Sequence, residues 1–526
     1  AAAQNRALRP LASPMPPIDR TLVTALREQL QSETGQPVAL VETHISWVLL
    51  TERWAYKLKK PVRLPFVDFG TLAARRHFCD EEIRLNRRLA PSLYLDVLPV
   101  CGTPQAPRLG DGEPIEFAVR MRRFPEAALA CHLLRAGQLE APALARFAGR
   151  LAAFHGGAEA APLGAAFGAP EQVLRAMSDA LEGLAAECGP ERRQGWRGWL
   201  AGEAESLHMA WIERQRAGAV RECHGDLHLA NVVLLDGELT AFDCIEFDPA
   251  LRWIDVMNDV AFLTMDLKAH GRGDLAHRFL DDWLQHSGDH AGLAVLRTYE
   301  VYRALVRARV GLLRAAGTGA LPPAGPPDYL ACAEQLATSA GIGPRLLITH
   351  GLSGSGKSTV AAELMAAAGA IRIRSDVERK RLFGLAPRQR SAGLGLDIYS
   401  PDATRRTFER LAACARTALQ AGYPVIVDAA FLRRAERLDF RALAAELRVP
   451  FSILHCHASE AQLRARVAAR HAVQADASEA DLAVLERQLA SHEALDGEER
   501  ALALAVDTEA ALDAAALMAR WLSPSR

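Results

Sequence analysis

Between residues 40 and 70, short apolar stretches alternate with polar turns. Val48-Leu49-Leu50, the polar Thr51-Glu52-Arg53 and then Trp54-Ala55-Tyr56-Lys57-Leu58 predict a hairpin of strand-forming residues. From Ala73 to Leu89 apolar and charged positions recur at helical spacing, and Pro91 ends the helix. Phe117-Ala118-Val119-Arg120-Met121 predicts a further strand, and Ala/Leu-rich helical sequence follows from about 140 to 215. This part reads as a small β-rich unit followed by a larger helical one.

Residues 315–328 are rich in Gly and Pro and predict a loop; Gly341-Ile342-Gly343-Pro344 then breaks the chain before the apolar strand Leu346-Leu347-Ile348. The domain boundary is placed there, giving domains 1–340 and 341–526. Beyond it, Ala370–Arg374, Val425–Asp428 and Phe451–Leu454 read as buried strands. The region 473–500, with Asp476, Glu479 and Gln488, reads as a helical cover. No repeat of solenoid period is visible.

Composition narrows the class. The chain has 526 residues, a formal charge of −1 and half its residues apolar, which predicts two or three folded domains and excludes a disordered chain. The neutral total argues against a nucleic-acid coat or a polybasic membrane binder. After residue 340 there are 25 basic and 22 acidic side chains, about +3, which leaves about −4 before it. Only six lysines occur, Lys57, Lys59, Lys60, Lys268, Lys357 and Lys380, against 56 arginines, so lysine marks places where a compact ammonium is wanted. Nine scattered cysteines without a C-x-x-C pair predict reduced thiols. No membrane-length apolar run and no basic, apolar leader is present, so a cytoplasmic location is expected.

Two stretches carry chemistry. The first is His224-Gly225-Asp226-Leu227-His228-Leu229-Ala230-Asn231, followed by a short apolar hairpin and Asp243. A carboxylate, an amide five residues on and a second carboxylate after a hairpin are what phosphoryl transfer from Mg·ATP needs: one acid takes the hydroxyl proton, and the Asn and second Asp hold Mg²⁺. Zinc at His224 and His228 lacks further ligands at metal-site spacing. These residues resemble the aminoglycoside phosphotransferase/choline kinase group of the protein-kinase-like fold, over roughly 30–315. The resemblance implies Asp226 as catalytic base, Asn231 and Asp243 as Mg²⁺ ligands, and Asp255 and Asp259 as braces of the catalytic loop. It also implies a strand lysine on the ATP phosphates fixed by a helix glutamate. Lys57 and Glu82 fit, with Lys59 and Glu81 as alternatives in register. No G-x-G-x-x-G is present; the hairpin carries Thr43-His44-Ile45-Ser46 instead. An acidic run, Glu246, Asp248, Asp255 and Asp259, suits a cationic substrate.

The second stretch, Gly351-Leu352-Ser353-Gly354-Ser355-Gly356-Lys357-Ser358-Thr359, follows a strand and opens a helix. This is a full G-x-x-x-x-G-K-S phosphate loop: backbone amides and the helix N-terminus wrap phosphates, Lys357 reaches the outer oxygens, and Ser358 ligates Mg²⁺. Asp376, at the end of the next strand, is placed to take a proton from an acceptor hydroxyl. Asp428 ends another strand and is expected to organise Mg²⁺. Arg466 and Arg470, at i,i+4 on a helix, are either a lid over the phosphate or surface arginines. The basic stretch Arg372–Arg390 is either a seat for an anionic acceptor or a solvated helix face. In His455-Cys456-His457 alternate residues face opposite ways, which is not a metal pattern. These features resemble the small P-loop kinases, such as gluconate kinase, polynucleotide kinase and zeta-type toxins, over 345–520.

The domain order resembles bacterial proteins labelled bifunctional aminoglycoside phosphotransferase/ATP-binding proteins. The expectation is therefore an α+β protein-kinase-like domain followed by an α/β P-loop NTPase domain with a parallel sheet. Each would use ATP and Mg²⁺ to phosphorylate a hydroxyl of a small molecule. Two alternatives stay open: one domain is a nucleotide-binding regulator of the other, or the P-loop domain phosphorylates nucleic-acid ends or a nucleotide-sugar. No membrane partner and no general nucleic-acid partner is expected, and the oligomeric state is open.

Overall fold

The computed structural model describes residues 19–64, 67–162, 164–184, 189–318, 327–338, 342–391, 394, 396–473 and 477–523. The chain forms two compact units whose segments interleave in sequence. One comprises Ala1–Phe147, Gly157–Asp266 and Tyr302–Leu330; the other comprises Ala148–Gly156, Leu267–Val301 and Ala331–Arg526.

The first unit is α+β. Its sheet has six antiparallel strands in the order Ala39–Glu42, Ser46–Leu50, Trp54–Lys59, Pro114–Arg122, Tyr94–Thr103 and Ala106–Leu109. The expected hairpin is present, with Leu50 opposite Ala55. The strands Tyr94–Thr103 and Ala106–Leu109 were not legible, because Pro99 and Pro107 interrupt the β pattern. Pro107 is tolerated on an edge strand, and a register shift at Val100/Cys101 adjusts the pairing. The helix Leu72–Asn86 starts at Thr71, whose hydroxyl accepts from the Ala74 amide. It buries Arg75, Cys79, Glu82 and Asn86 along one face, so this helix turns charged residues inward. The Ala/Leu-rich stretch forms three helices, Ala141–Gly157, Pro170–Glu182 and Pro190–Arg216. The last two each begin on a proline, which suits the first helical position because its missing N–H is not needed there. A two-stranded hairpin, Val232–Leu235 with Glu238–Ala241, stands between the catalytic-loop candidate and Asp243.

The second unit is α/β. Five parallel strands run in the order Ile371–Arg374, Val425–Asp428, Leu346–His350, Phe451–His457 and Ala503–Asp507. Leu347, Ile426 and Leu454 of the three central strands pack with Val360 and Leu364 of the helix Lys357–Ala368 and with Trp521. Because the strands are parallel, Gly351, Ser375, Asp376 and Asp428 fall at one edge, the carboxyl ends, where ligands of such sheets bind. The helices Gly273–Ser287 and Lys357–Ala368 belong to this unit as well. Of the loop expected over 315–328, residues 315–318 continue the helix Leu293–Thr318, while 319–326 lie outside the described residues. The cover region holds the helices Leu482–Ser491 and Gly497–Ala501 with irregular chain between them; Asp476 lies outside the described residues.

Eight cysteines are buried free thiols; Cys188 is not among the described residues. Among the described residues no helix is long and apolar enough to cross a membrane.

Candidate active sites

In the first unit, Lys57 and Lys59 share a strand face because they are two residues apart, and both reach Glu82. Lys57 Nζ donates to Glu82 Oε1 at 2.8 Å and to Asp243 Oδ1 at 2.6 Å. Lys59 Nζ donates to Glu82 Oε2 at 2.8 Å and to Glu246. The two lysines thus differ in one respect: Lys57 touches Asp243, whereas Lys59 is sealed between two buried glutamates. Glu81 turns instead to Arg84, 2.8 Å away. Burial pushes the Glu82 carboxyl up, but the two ammonium groups outweigh it and bring it down to about 2. Lys60 donates to Glu42 Oε1 at 2.6 Å, away from this cluster.

The loop around Asp226 is fixed by its own side chains and by buried acids. The amides of His224 and Gly225 donate to Asp259 at 2.8 and 2.9 Å. His224 Nδ1 accepts from the Asp226 amide, which leaves Nε2 as the donor to the Phe242 carbonyl at 2.9 Å. Burial lowers the His224 pKa, in keeping with this neutral tautomer. Asn231 Nδ2 donates to the Asp226 carboxylate and carbonyl, both at 3.0 Å. Burial raises the Asp226 carboxyl, but His228 and Arg307 outweigh it and hold the group well below the usual carboxylate range. Asp243 sits at φ 63°, a left-handed conformation that aspartate adopts more readily than most residues, and its amide donates to Tyr94 Oη at 3.1 Å.

Sequence reading missed several supports. Asp266 accepts the Leu229 amide at 2.9 Å and the Tyr329 hydroxyl at 2.7 Å, and Arg307 Nη1 lies 3.1 Å from His228 Nε2. Only Asp266, seven residues beyond Asp259 and so on the same helix face, left a periodic signal. The acidic run is not a cationic-substrate surface. Glu246 is buried on Lys59, Asp248 caps the Ala250 amide, Asp255 pairs with Arg214 at 2.5 and 2.6 Å, and Asp259 holds the loop. Of the two expected braces, Asp259 reaches the loop 224–231; Asp255 is bound to Arg214.

In the second unit the phosphate loop has glycines where left-handed backbone is needed, with φ 145° at Gly351, 83° at Gly354 and 77° at Gly356. A Cβ on Gly351 would lie 2.3 Å from the Cys456 carbonyl oxygen. Lys357 Nζ donates to the Leu352 carbonyl at 2.7 Å, and Ser358 Oγ donates to Asp428 Oδ1 at 3.1 Å. Ser353 N–H is covered by Gln488 Oε1 at 2.8 Å, so the helix Leu482–Ser491 closes on the loop. A cleft of about 470 Å³ brings together Ser353, Gly354, Gly356, Lys357, Ser358, Thr359, Asp376, Asp428, Arg466 and Arg470. Gly351 and Ser355 stand outside it, in a neighbouring cavity with His350, His455 and Cys456. Arg466 donates to Thr508 Oγ1 at 2.8 Å and to the Thr508 carbonyl at 2.7 Å; Arg470 donates to the Ala480 carbonyl at 2.9 Å.

The basic stretch after Ile371 is only partly solvated: Arg388 is exposed, but Arg372, Arg379 and Lys380 are buried. Arg372 pairs with Asp281 at 2.7 Å, Lys380 with Glu479 at 3.1 Å, and Arg379 donates to the Ile398 carbonyl at 2.8 Å. Arg379 also lines the cleft beside Asp376.

Both sites have donors suited to Mg²⁺, a hard cation that takes carboxylate, carbonyl and hydroxyl oxygen. Asp428 Oδ2 is buried and has no hydrogen-bond partner, and Ser358 Oγ stands beside the other carboxylate oxygen. In the first unit the half-exposed Asp243 carboxylate and the side-chain carbonyl of Asn231, whose amide nitrogen donates to Asp226, offer such oxygens.

The family model described as AAA domain matches residues 346–495. Solved structures show weak overall likeness. A gluconokinase from Sinorhizobium meliloti 1021 is 24% identical, covering 34% of this chain and 90% of that one at a TM-score of 0.25. A choline/ethanolamine kinase family protein from Mesorhizobium loti is 14% identical, covering 57% and 86% at a TM-score of 0.36. Among curated proteins, Rv2004c of Mycobacterium tuberculosis is 31% identical over 455 residues, 85% of this chain and 89% of its own length, and Mb2027c of Mycobacterium bovis matches to the same extent. The chain therefore belongs to the protein family of mycobacterial Rv2004c and Mb2027c.

Proposed function

We propose that the chain is a bifunctional, ATP- and Mg²⁺-dependent phosphotransferase with one active site in each unit, each moving a γ-phosphoryl group to a hydroxyl of a small molecule. The observation that carries this reading is the double occurrence of one chemical set. Each unit has a half-buried lysine, an aspartate expected to organise metal and a further aspartate expected to take a proton: Lys57, Asp243 and Asp226 in one, Lys357, Asp428 and Asp376 in the other.

In the first unit Lys57, fixed by Glu82, would meet the nucleotide phosphates, while Asn231 and Asp243 would hold Mg²⁺. In the second, the amides of residues 353–359 and Lys357 would cradle the phosphates, Ser358 and Asp428 would hold Mg²⁺, and Arg466 and Arg470 would face the transferring group. Bound Mg²⁺ supplies charge neutralisation on the phosphate oxygens. Asp226 and Asp376 accept the proton of the attacking hydroxyl, which requires only that they be ionised and within hydrogen-bond reach of it. The alternative that the first unit regulates the second draws on one observation: the hairpin turn at Thr43–Ser46 lacks glycine and is closed by its own Thr43 N to Ser46 O bond at 2.9 Å.

A screen of a metabolite pool with labelled ATP, run on the wild type, Asp226→Ala and Lys357→Ala, tests the proposal. Each variant is expected to lose a different subset of labelled products. If neither changes any phosphorylation or ATPase signal, the two-kinase reading fails. If Asp226→Asn leaves all turnover intact while Lys357→Ala removes it, the regulatory reading replaces it.

A further inference from the structure

The strand and helix that present Asp376 are fastened to a part of the second unit that lies well upstream in sequence. Arg372, buried on the strand Ile371–Arg374, donates from Nη2 to Asp281 Oδ2 at 2.7 Å and from Nε to Asp281 Oδ1 at 3.4 Å. Its Nη1 donates to the Ser358 carbonyl at 3.1 Å and stands 3.9 Å from Asp428 Oδ2. Arg374, on the same strand face, places Nε 3.5 Å from Asp428 Oδ2 and donates from Nη1 to Gln285 Oε1 at 3.3 Å. Gln285 closes the relay by donating from Nε2 to Asp281 Oδ2 at 2.7 Å. Asp281 and Gln285 are one turn apart on the helix Gly273–Ser287. Beyond Asp376, Arg381 donates to the Gln285 carbonyl at 2.6 Å, and Glu378 lies 3.5 Å from His290.

Two guanidinium groups therefore flank a carboxylate oxygen that has no hydrogen-bond partner of its own. A cation within 4 Å in a buried setting competes with a metal ion for that oxygen, and the outcome depends on how firmly the guanidinium is held elsewhere. We infer that Asp281 and Gln285 are positioning residues of the P-loop site, which hold Arg372 and Arg374 away from Asp428 and so set the affinity for Mg²⁺. The helix Gly273–Ser287 is then a working part of the second site, although it precedes the phosphate loop by some seventy residues and lies outside the matched span 346–495. The inference rests on the reading of this unit as an Mg²⁺-dependent nucleotide site.

The test is equilibrium binding of ADP to the full chain, with Mg²⁺ titrated in and with EDTA present. The signal lost in Lys357→Ala defines the P-loop site. Asp281→Asn is expected to raise the Mg²⁺ concentration for half-maximal ADP binding about ten- to a hundredfold, the usual cost of removing a partner one step behind a metal ligand. Its affinity for metal-free ADP should stay within about twofold, since none of the phosphate-loop amides is touched. Arg372→Met added to Asp281→Asn removes the freed guanidinium and is expected to restore the wild-type Mg²⁺ requirement. Gln285→Leu, which leaves the Asp281 pair intact, gives a smaller shift in the same direction and serves if Asp281→Asn melts early. An unchanged Mg²⁺ requirement in both Asp281→Asn and Gln285→Leu, or a double variant no better than Asp281→Asn, overturns the inference. If the wild type shows no Lys357-dependent ADP binding at all, it is the nucleotide-site reading of the unit that fails.

Discussion

Lys57 and Asp243 are joined directly, with Nζ 2.6 Å from Oδ1, while Lys59, on the same strand face, makes no such contact and is closed between Glu82 and Glu246. The two lysines should therefore fail in different ways. Lys57→Met leaves Glu82 paired with Lys59 and is expected to cost about 10² to 10³ in the Asp226-dependent turnover, the range for losing one charged donor in an active site. Its melting temperature should change little. Lys59→Met leaves buried carboxylates short of a counter-charge and is expected to cost about 3–5 kcal/mol of stability. Thermal unfolding and single-turnover assays on the two variants check both; equal loss of stability in Lys57→Met would mean that Lys57 is a structural residue.

Asp226 is expected to be ionised throughout the physiological range, because His228 and Arg307 hold its carboxyl down against burial. Its own protonation therefore contributes no limb to the rate profile between about pH 5 and 8. Asp226→Asn should lower single-turnover phosphorylation by about 10² to 10⁴ while leaving nucleotide binding nearly unchanged. A rate that falls in the wild type on acidification through pH 6, and stops falling in Asp226→Asn, would contradict this assignment.

How much of this was legible in the sequence depended on whether the chemistry sits in consecutive residues. The loops 224–231 and 351–359 stood out because a backbone cradle, or the base-and-metal pair proposed here, needs fixed local spacing. Lys57 and Lys59 were not separable, because a period of two puts both on one face and only the distance to Asp243 distinguishes them. Glu246 reads as an exposed acid until the fold buries it on Lys59, and Arg372 reads as an anion seat or a solvated cation until Asp281, remote in sequence, meets it. Pairings of that kind leave no periodic trace in the chain.

Asp259 takes the amides of two successive residues of the loop, His224 and Gly225. Asp259→Ala leaves both donors buried without an acceptor, and each such donor costs about 1–3 kcal/mol. The expected result is a destabilised chain whose remaining folded fraction has lost the Asp226-dependent turnover. Asp259→Asn retains one acceptor oxygen and should fall between that variant and the wild type. Urea unfolding and product formation measured on the same preparations check this order; full activity in Asp259→Ala would remove its role as a brace.

Asp282 gives a pH dependence of the opposite sign to that of a salt-bridged acid. Burial, followed by the neighbouring Asp281 carboxylate, pushes its carboxyl from 3.8 to about 6, against the pull of Arg372, Arg388 and Arg374. Between about pH 4 and 6 the folded chain keeps a proton that the unfolded chain has released, so the contribution of this group is full below pH 4 and is lost as the pH rises through 6. Above pH 6 the folded state carries an ionised carboxylate in a setting that disfavours it. Asp282→Asn, uncharged at every pH, is then expected to be more stable than the wild type at pH 7.5, by on the order of 1–2 kcal/mol once partial exposure is allowed for. The gain should fade toward pH 4, where both side chains are neutral. Urea midpoints of the full chain measured at pH 4.5 and pH 7.5 decide the point: a gain of the same size at both pH values would mean that the substitution acts through packing and not through the charge.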